Sequence, residues 1–377
     1  MDTPLAPTAS HHGNSTQPRV NLALQGGGSH GAFTWGVLDT LLEDGRIAFE
    51  GISGTSAGAM NAVAMAHGFA QAEGQTPLQM RESARASLER FWEGVVDMGA
   101  LGASISQAQR APFDILFGGL GRLTGDPSPG QLVSDAMASF WTKTLSPYQS
   151  NPLDINPLQK FLEAQIDFER LAACKALKLF VVATTVTTGK AEVFSGKRLT
   201  AKAVMASACL PTVFQAVEID GVHYWDGGFS GNPAFHPLIY ACTSRDIVLV
   251  QINPIKRDKL PTTAGEILDR INEITFNAAL IAEMRAIDFV KRLLAEGKLD
   301  PTHYKDVLMH RIDGGEVLEG YAASTKSATD AKLIHSLRDL GKDCAAQWLR
   351  HRFSALGVTS SVNIGRDYLD DLRVPAP

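Results

Sequence analysis

An α/β fold built on a mostly parallel sheet is the expectation for this chain, and three observations carry it. Residues 20–24, Val-Asn-Leu-Ala-Leu, form a short run rich in apolar side chains, the pattern of a strand covered on both faces. A glycine loop follows, Gln25-Gly26-Gly27-Gly28-Ser29-His30-Gly31, and then a stretch with Phe33, Val37, Leu38 and Leu41 at helical spacing. A second apolar piece ending near Ile52 runs into Gly54-Thr55-Ser56-Ala57-Gly58 and a further helical stretch from Ala57. Two strands joined through one helix make a crossover, so they should lie parallel with both loops at the same sheet edge. The glycine loop and Ser56 are therefore expected side by side.

The rest of the chain alternates in the same way. Asp44-Gly45 is a turn, residues 57–94 read as helical, and Pro77 stands at a helix start. Between residues 95 and 148 there are only seven charged side chains, with Gly118-Gly119 and a Gly125-Asp126-Pro127 break. This segment reads either as core or as an apolar insertion, a lid lining an acyl pocket with Phe113, Ile115, Leu116, Phe117 and Leu120. Asn156-Pro157 opens another helix, residues 178–184 and 191–195 read as strands, and Thr200 caps a helix that runs to Ser207. Asp220-Gly221 between two β-prone pieces predicts a two-residue hairpin, whose second strand leads into Asp226-Gly227-Gly228. Residues 246–252 are a buried strand, 262–294 a helix, 307–312 a last strand, and 331–353 an amphipathic helix capped by Asp330. Its basic side chains, Lys332, Arg338, Lys342, Arg350 and Arg352, read as a solvated face or a weak contact with anionic lipid.

Composition narrows the function classes. A chain of 377 residues with 45% hydrophobic and 20% charged residues has the make-up of an ordinary globular protein. Its net charge of -5 gives no electrostatic reason to expect nucleic acid. Cys174, Cys209, Cys242 and Cys344 are scattered without a Cys-x-x-Cys pair, so neither a zinc site nor a disulfide framework is expected. Cys209 and Cys242 read as small core residues. No stretch approaches the roughly 18 apolar residues of a membrane span. The first eighteen residues lack the basic and apolar regions of a signal peptide and read as a disordered tail. A cytoplasmic protein, with at most peripheral membrane contact, is the simplest expectation; oligomeric state leaves no signal.

The chemistry concentrates in three stretches. In Gly54-Thr55-Ser56-Ala57-Gly58 a serine sits on a tight strand-to-helix turn, flanked by glycines that leave room for its strained backbone. The following helix points its positive end at the hydroxyl, which suits a developing anion. The glycine loop admits three readings. Gly26-x-Gly28-x-x-Gly31 satisfies a dinucleotide fingerprint, consecutive glycine N–H groups can form an oxyanion hole, and a plain tight turn needs neither. The oxyanion hole is favoured, because a candidate nucleophile stands on the next strand and no ribose-binding acid ends it. Asp226, delivered at the rigid end of a strand beside two glycines, is held well and leaves room for another chain or a substrate; an isolated Asp-Gly-Gly would be no more than a turn.

Together these stretches resemble the patatin-like phospholipase family. Gly26-Gly27-Gly28-Ser29-His30-Gly31 is similar to its oxyanion-hole loop, Gly54-Thr55-Ser56-Ala57-Gly58 to its nucleophile elbow, and Asp226-Gly227-Gly228 to the motif bearing the acid of its Ser/Asp dyad. Ser207-Ala208-Cys209-Leu210-Pro211-Thr212-Val213-Phe214 resembles the block ahead of that acid. The family usually carries Arg or Lys where His30 stands, so the charge there is expected to be absent at neutral pH. The resemblance implies a three-layer α/β/α sandwich spanning residues 19–377, with 258–377 its mostly helical C-terminal part. It implies hydrolysis of lipid acyl esters by Ser56 and Asp226 through an acyl-serine, with Gly26, Gly27 and Gly28 as oxyanion hole, and Gly31, Gly54, Gly58, Gly227 and Gly228 shaping the site. Neither metal nor nucleotide cofactor is implied. An ordinary aspartate, pKa about 3.9, is a poor base, so burial would have to raise it. The competing readings are an acyltransferase using the same dyad, a Ser-Asp-His triad esterase, and a non-catalytic lipid-binding protein. The triad would recruit His236, His303, His310, His335 or His351, none of which stands in a recognisable motif.

Overall fold

The computed structural model describes residues 17–117 and 146–369, apart from 151, 153, 155, 322–324, 327 and 329, with only the backbone described for 100–117, 150, 264, 265, 268 and 269. The strands are β1 (Arg19–Leu24), β2 (Ala48–Thr55), β3 (Lys178–Thr185), β4 (Ala191–Phe194), β5 (Val217–Ile219), β6 (Val222–Asp226), β7 (Asp246–Gln251) and β8 (Leu308–Asp313). The helices are α1 (Gly31–Asp44), α2 (Ala57–Gln71), α3 (Pro77–Phe117), α4 (Pro147–Ser150), α5 (Pro157–Gln165) and α6 (Phe168–Ala173). They continue with α7 (Ala201–Ser207), α8 (His236–Ala241), α9 (Ala264–Ala295), α10 (Gly315–Glu319), α11 (Ala331–Arg352) and α12 (Ile364–Tyr368).

β3, β2, β1, β7 and β8 pair in that order, all parallel, and β4, β5 and β6 add antiparallel pairs at the β3 side. Successive side chains of each strand point to opposite faces, and each face carries its own core. Leu22, Leu24, Val248 and Val250 pack with Phe33, Val63, Phe91 and Leu337 from α1, α2, α3 and α11. Ala23, Ile247 and Leu249 pack on the other face with Leu238, Leu280, Met284 and Ile364 from α8, α9 and α12. The expected three-layer α/β/α sandwich is therefore present.

Local signals behave as their chemistry requires. Asn156, Thr200 and Asp330 each accept a backbone N–H of the helix that follows. Asp220 and Gly221 take the positive φ values, 51° and 77°, that a tight hairpin between β5 and β6 demands. Residues 95–117 of the segment read as core or insertion continue α3 as helix; the side chains of the apolar cluster at 113–120 lie outside the described residues. The tail expected over 1–18 is partly tied down, since Pro18 accepts the Ala48 N–H and Gln17 donates to Gly45; residues 1–16 lie outside the description. On α11, Lys342 pairs with Asp39 and Arg338 lies over Trp35, so part of its basic face is engaged with α1. Among the described residues no helix is long and apolar enough to cross a membrane.

Two chain segments are pressed against the site with no slack. A Cβ at Gly58 would lie 2.2 Å from the Leu24 carbonyl oxygen, which belongs to the central strand and cannot retreat. Gly58→Ala is therefore expected to lower stability by about 3 kcal/mol, measurable by urea unfolding. An unchanged midpoint would show that β1 and α2 can separate.

Candidate active site

β2 ends at Thr55, and Ser56 takes φ 54° and ψ -122° before α2 begins, a conformation that costs a non-glycine residue of order 1–3 kcal/mol. The turn is held from several sides. The Ser56 N–H donates to the Ser207 hydroxyl at 2.9 Å, its carbonyl accepts the Met60 N–H, and the Thr55 hydroxyl donates to the Gly231 carbonyl at 2.6 Å. The glycines expected to shape the site are all close-packed. A Cβ would meet Ala57 Cβ at 2.7 Å from Gly31, the Gly58 carbonyl at 2.5 Å from Gly54, and the Val182 carbonyl at 2.1 Å from Gly227. From Gly228 it would meet the Phe276 ring at 2.9 Å.

Strand register brings the aspartate to the serine. On β3, Val181 and Val182 pair with Gly54 and Thr55 of β2 on one side and with β4 on the other. Ala183, the next residue, pairs with β4 and with Asp226. β6 thus continues along the edge of β3 that β2 vacates, end to end with it, and Asp226 follows Thr55 in line. The carboxyl is completely buried. Oδ1 accepts the Gly228 N–H at 2.7 Å, whereas Oδ2 has no hydrogen-bond partner among the described residues. Ser56, itself 9% exposed, stands near enough for its hydroxyl to favour the charged carboxylate, although no hydrogen bond of ordinary geometry joins them. Such bonds commonly tighten only when substrate is bound. Burial outweighs both this and the Gly228 N–H, and pushes the Asp226 pKa up to about 7.

The glycine loop lies against the elbow, as expected: a Cβ on Gly26 would be 2.7 Å from that of Ser56. Its role divides differently among its residues. The Gly26 N–H is committed to Asn232 Oδ1 at 2.7 Å, so Gly26 cannot serve as an oxyanion donor, and Gly27 and Gly28 remain as the loop's candidates. The reason is that Asn232, arriving 206 residues later, fills a position that sequence spacing does not register. His30 is neutral, as anticipated: burial, then Lys326 and Arg257, lower its pKa to about 4. It shares a 2.7 Å hydrogen bond with Thr325. The backbone of Lys326 packs on Gly28, whose added Cβ would lie 2.1 Å from the Lys326 carbonyl, and Lys326 Nζ donates to Asn253 at 2.7 Å. A cation therefore does stand at the glycine loop, brought from another part of the chain.

None of the five histidines weighed for a triad hydrogen-bonds Ser56 or Asp226 among the described residues. His303 pairs with Asp300, His310 with Asp246 and His335 with Glu93, while His236 and His351 are exposed. Cys209 and Cys242 are buried with thiols pushed up to about 12 and about 11, so they are protonated core residues. Cavities of about 160 to 340 Å³ elsewhere on the surface are lined by neither Ser56 nor Asp226. No group of three or more His, Cys, Asp and Glu side chains among the described residues is arranged to hold a metal ion.

A second carboxyl titrates near neutrality. Glu283 on α9 accepts the N–H groups of Phe235 and His236 at 2.6 and 3.3 Å, and burial raises its pKa to about 7. Among the described residues it hydrogen-bonds neither Ser56 nor Asp226. If Asp226 alone sets the pH dependence of turnover, Glu283→Gln should leave the midpoint of the kcat/KM profile near pH 7 where it is in wild type. A midpoint that vanishes in Glu283→Gln would transfer the dependence to α9.

A family model for patatin-like phospholipases matches residues 22–239, more than half of the chain and all four motif blocks. The chain belongs to the patatin-like phospholipase family. Among solved structures, this patatin-like chain is similar to VipD from Legionella pneumophila, with a TM-score of 0.35 and 17% identity over 89% of this chain and 67% of that one. Among curated proteins, none matches it significantly.

Proposed function

We propose that this patatin-like protein is a lipid acyl hydrolase of phospholipase A or lysophospholipase type that works through a Ser56/Asp226 dyad. The observation that carries the reading is the seating of Asp226, fully buried and directly in line with the Ser56 elbow on β3. A carboxyl with a pKa near 7 solves the difficulty of using aspartate as a base, since it is charged in about half of the molecules at neutral pH and holds a proton well once it has one.

Ser56 Oγ attacks the ester carbonyl while its proton passes to Asp226 Oδ2, the carboxyl oxygen without another partner. The carbonyl oxygen becomes an oxyanion facing the Gly27 and Gly28 N–H groups and the positive end of α2. Collapse expels the alcohol of the lysolipid or glycerol, which takes the proton from Asp226. Water then gives its proton to Asp226 and attacks the acyl-serine, and Ser56 is regenerated with release of the fatty acid. Lipid profiling by mass spectrometry tests this directly. Wild-type protein incubated with mixed phospholipid vesicles should release free fatty acid and the matching lysolipid, and Ser56→Ala should release neither. Transfer of the acyl group to an added alcohol without free acid would instead favour an acyltransferase.

A further inference from the structure

The Gly26–Gly27 peptide lies at the start of the glycine loop, and its orientation is fixed by side chains from distant segments. In a trans peptide the carbonyl and the following N–H point in opposite directions, so whatever grips the Gly26 carbonyl also aims the Gly27 N–H. Two buried carboxamides grip it: Asn253 Nδ2 donates to the Gly26 oxygen at 2.6 Å and Asn232 Nδ2 at 3.4 Å. Asn253 follows β7 and is itself held, its N–H donating to Gln25 Oε1 at 2.8 Å. Its amide orientation is not arbitrary. Lys326 Nζ, which can only donate, lies 2.7 Å from Asn253 Oδ1 and 3.9 Å from the buried Glu273 carboxylate.

We propose that Asn253, polarised by Lys326, is a positioning residue that aims and strengthens Gly27 N–H as an oxyanion donor. The inference rests on the dyad reading above. An ammonium on the carboxamide oxygen draws electron density from the amide nitrogen and makes its N–H a better donor. That bond polarises the Gly26 carbonyl, and the shared peptide resonance makes the Gly27 N–H more positive in turn. Lys326 thus conveys positive charge toward the oxyanion without touching substrate. It occupies the electrostatic place that neutral His30 leaves unfilled.

Steady-state kinetics on a nitrophenyl butyrate, with two inhibitors of matched chain, test the relay. A trifluoromethyl ketone forms a tetrahedral adduct with the serine and presents an oxyanion; the plain methyl ketone binds without doing so. Lys326→Met should lower kcat about 10-fold, and Asn253→Asp, which places an oxygen against the Gly26 carbonyl, about 100-fold. In each variant the trifluoromethyl ketone should weaken by the same factor, with KM and methyl ketone affinity within about 2-fold of wild type. If the effect of the Lys326 ammonium on turnover runs through Asn253, the double variant should be no worse than Asn253→Asp alone. Lys326→Met removes a partly exposed side chain and supplies the answer even if Asn253→Asp does not fold. Wild-type kcat in Lys326→Met, fully additive losses in the double variant, or equal weakening of both ketones would each overturn the relay. The dyad reading falls on a different result, undiminished turnover in Ser56→Ala.

Discussion

Replacing Ser56 with alanine is expected to lower turnover of an acyl ester at least about 10,000-fold while leaving the fold intact. The two bonds that hold the elbow at this residue use its backbone, N–H to Ser207 and carbonyl to Met60, and survive the change. Alanine keeps the Cβ, so the strain at φ 54° is neither relieved nor increased. The melting temperature should therefore stay close to that of wild type, and urea unfolding should give the same midpoint. The variant loses only the hydroxyl. Retained turnover would remove Ser56 from the chemistry, whatever the motif around it.

Asp226→Asn should cost about 1,000-fold in kcat and at the same time stabilise the protein. Burial raises the folded-state pKa of Asp226 from 3.8 to about 7, so the charged form is disfavoured in the native state. The carboxyl then costs no stability below the unfolded value, and progressively more as pH rises through the folded one. Each unit of difference corresponds to about 1.4 kcal/mol, which makes the full cost a few kcal/mol above pH 7. Asparagine keeps an acceptor for the Gly228 N–H and carries no charge. Its variant should melt higher than wild type at pH 8, with the gain shrinking as pH falls toward 5. An inactive variant with the same pH-independent stability as wild type would mean that Asp226 is solvated in the native protein.

Much of this arrangement is written locally. The Asp220-Gly221 turn, the caps at Asn156, Thr200 and Asp330, and the run from strand through glycine loop to helix each depend on neighbours within a few residues. The parallel crossover alone places the glycine loop beside Ser56. What the sequence withholds is set by contacts across the chain. The end-to-end seating of β6 beyond β2 depends on how β3 pairs on each edge, and the raised pKa of Asp226 follows from that burial. The loss of Gly26 as a donor depends on Asn232, and the cation at the loop on Lys326. A weaker signal was present. Gln25 and Asn253 are polar residues placed one and two positions past the ends of buried strands whose C-terminal ends are adjacent, where parallel sheets gather their functional groups. The change of texture at Val95 likewise does not mark the end of α3, which continues through 117. Glycine costs a helix only about 1 kcal/mol, so Gly99 and Gly102 do not end it.

Activation of Ser56 by buried Asp226 alone is the step on which the proposed chemistry turns. The most direct measurement is the rate of fluorophosphonate labelling, mapped to the modified peptide, across pH 5 to 9 in wild type and Asp226→Asn. The predicted result is a single label on Ser56 whose rate rises about 10-fold per pH unit below the Asp226 pKa and levels off above pH 7, with almost no labelling in Asp226→Asn at any pH. Labelling of Ser56 in Asp226→Asn at the wild-type rate, or a label on any other serine, would contradict it.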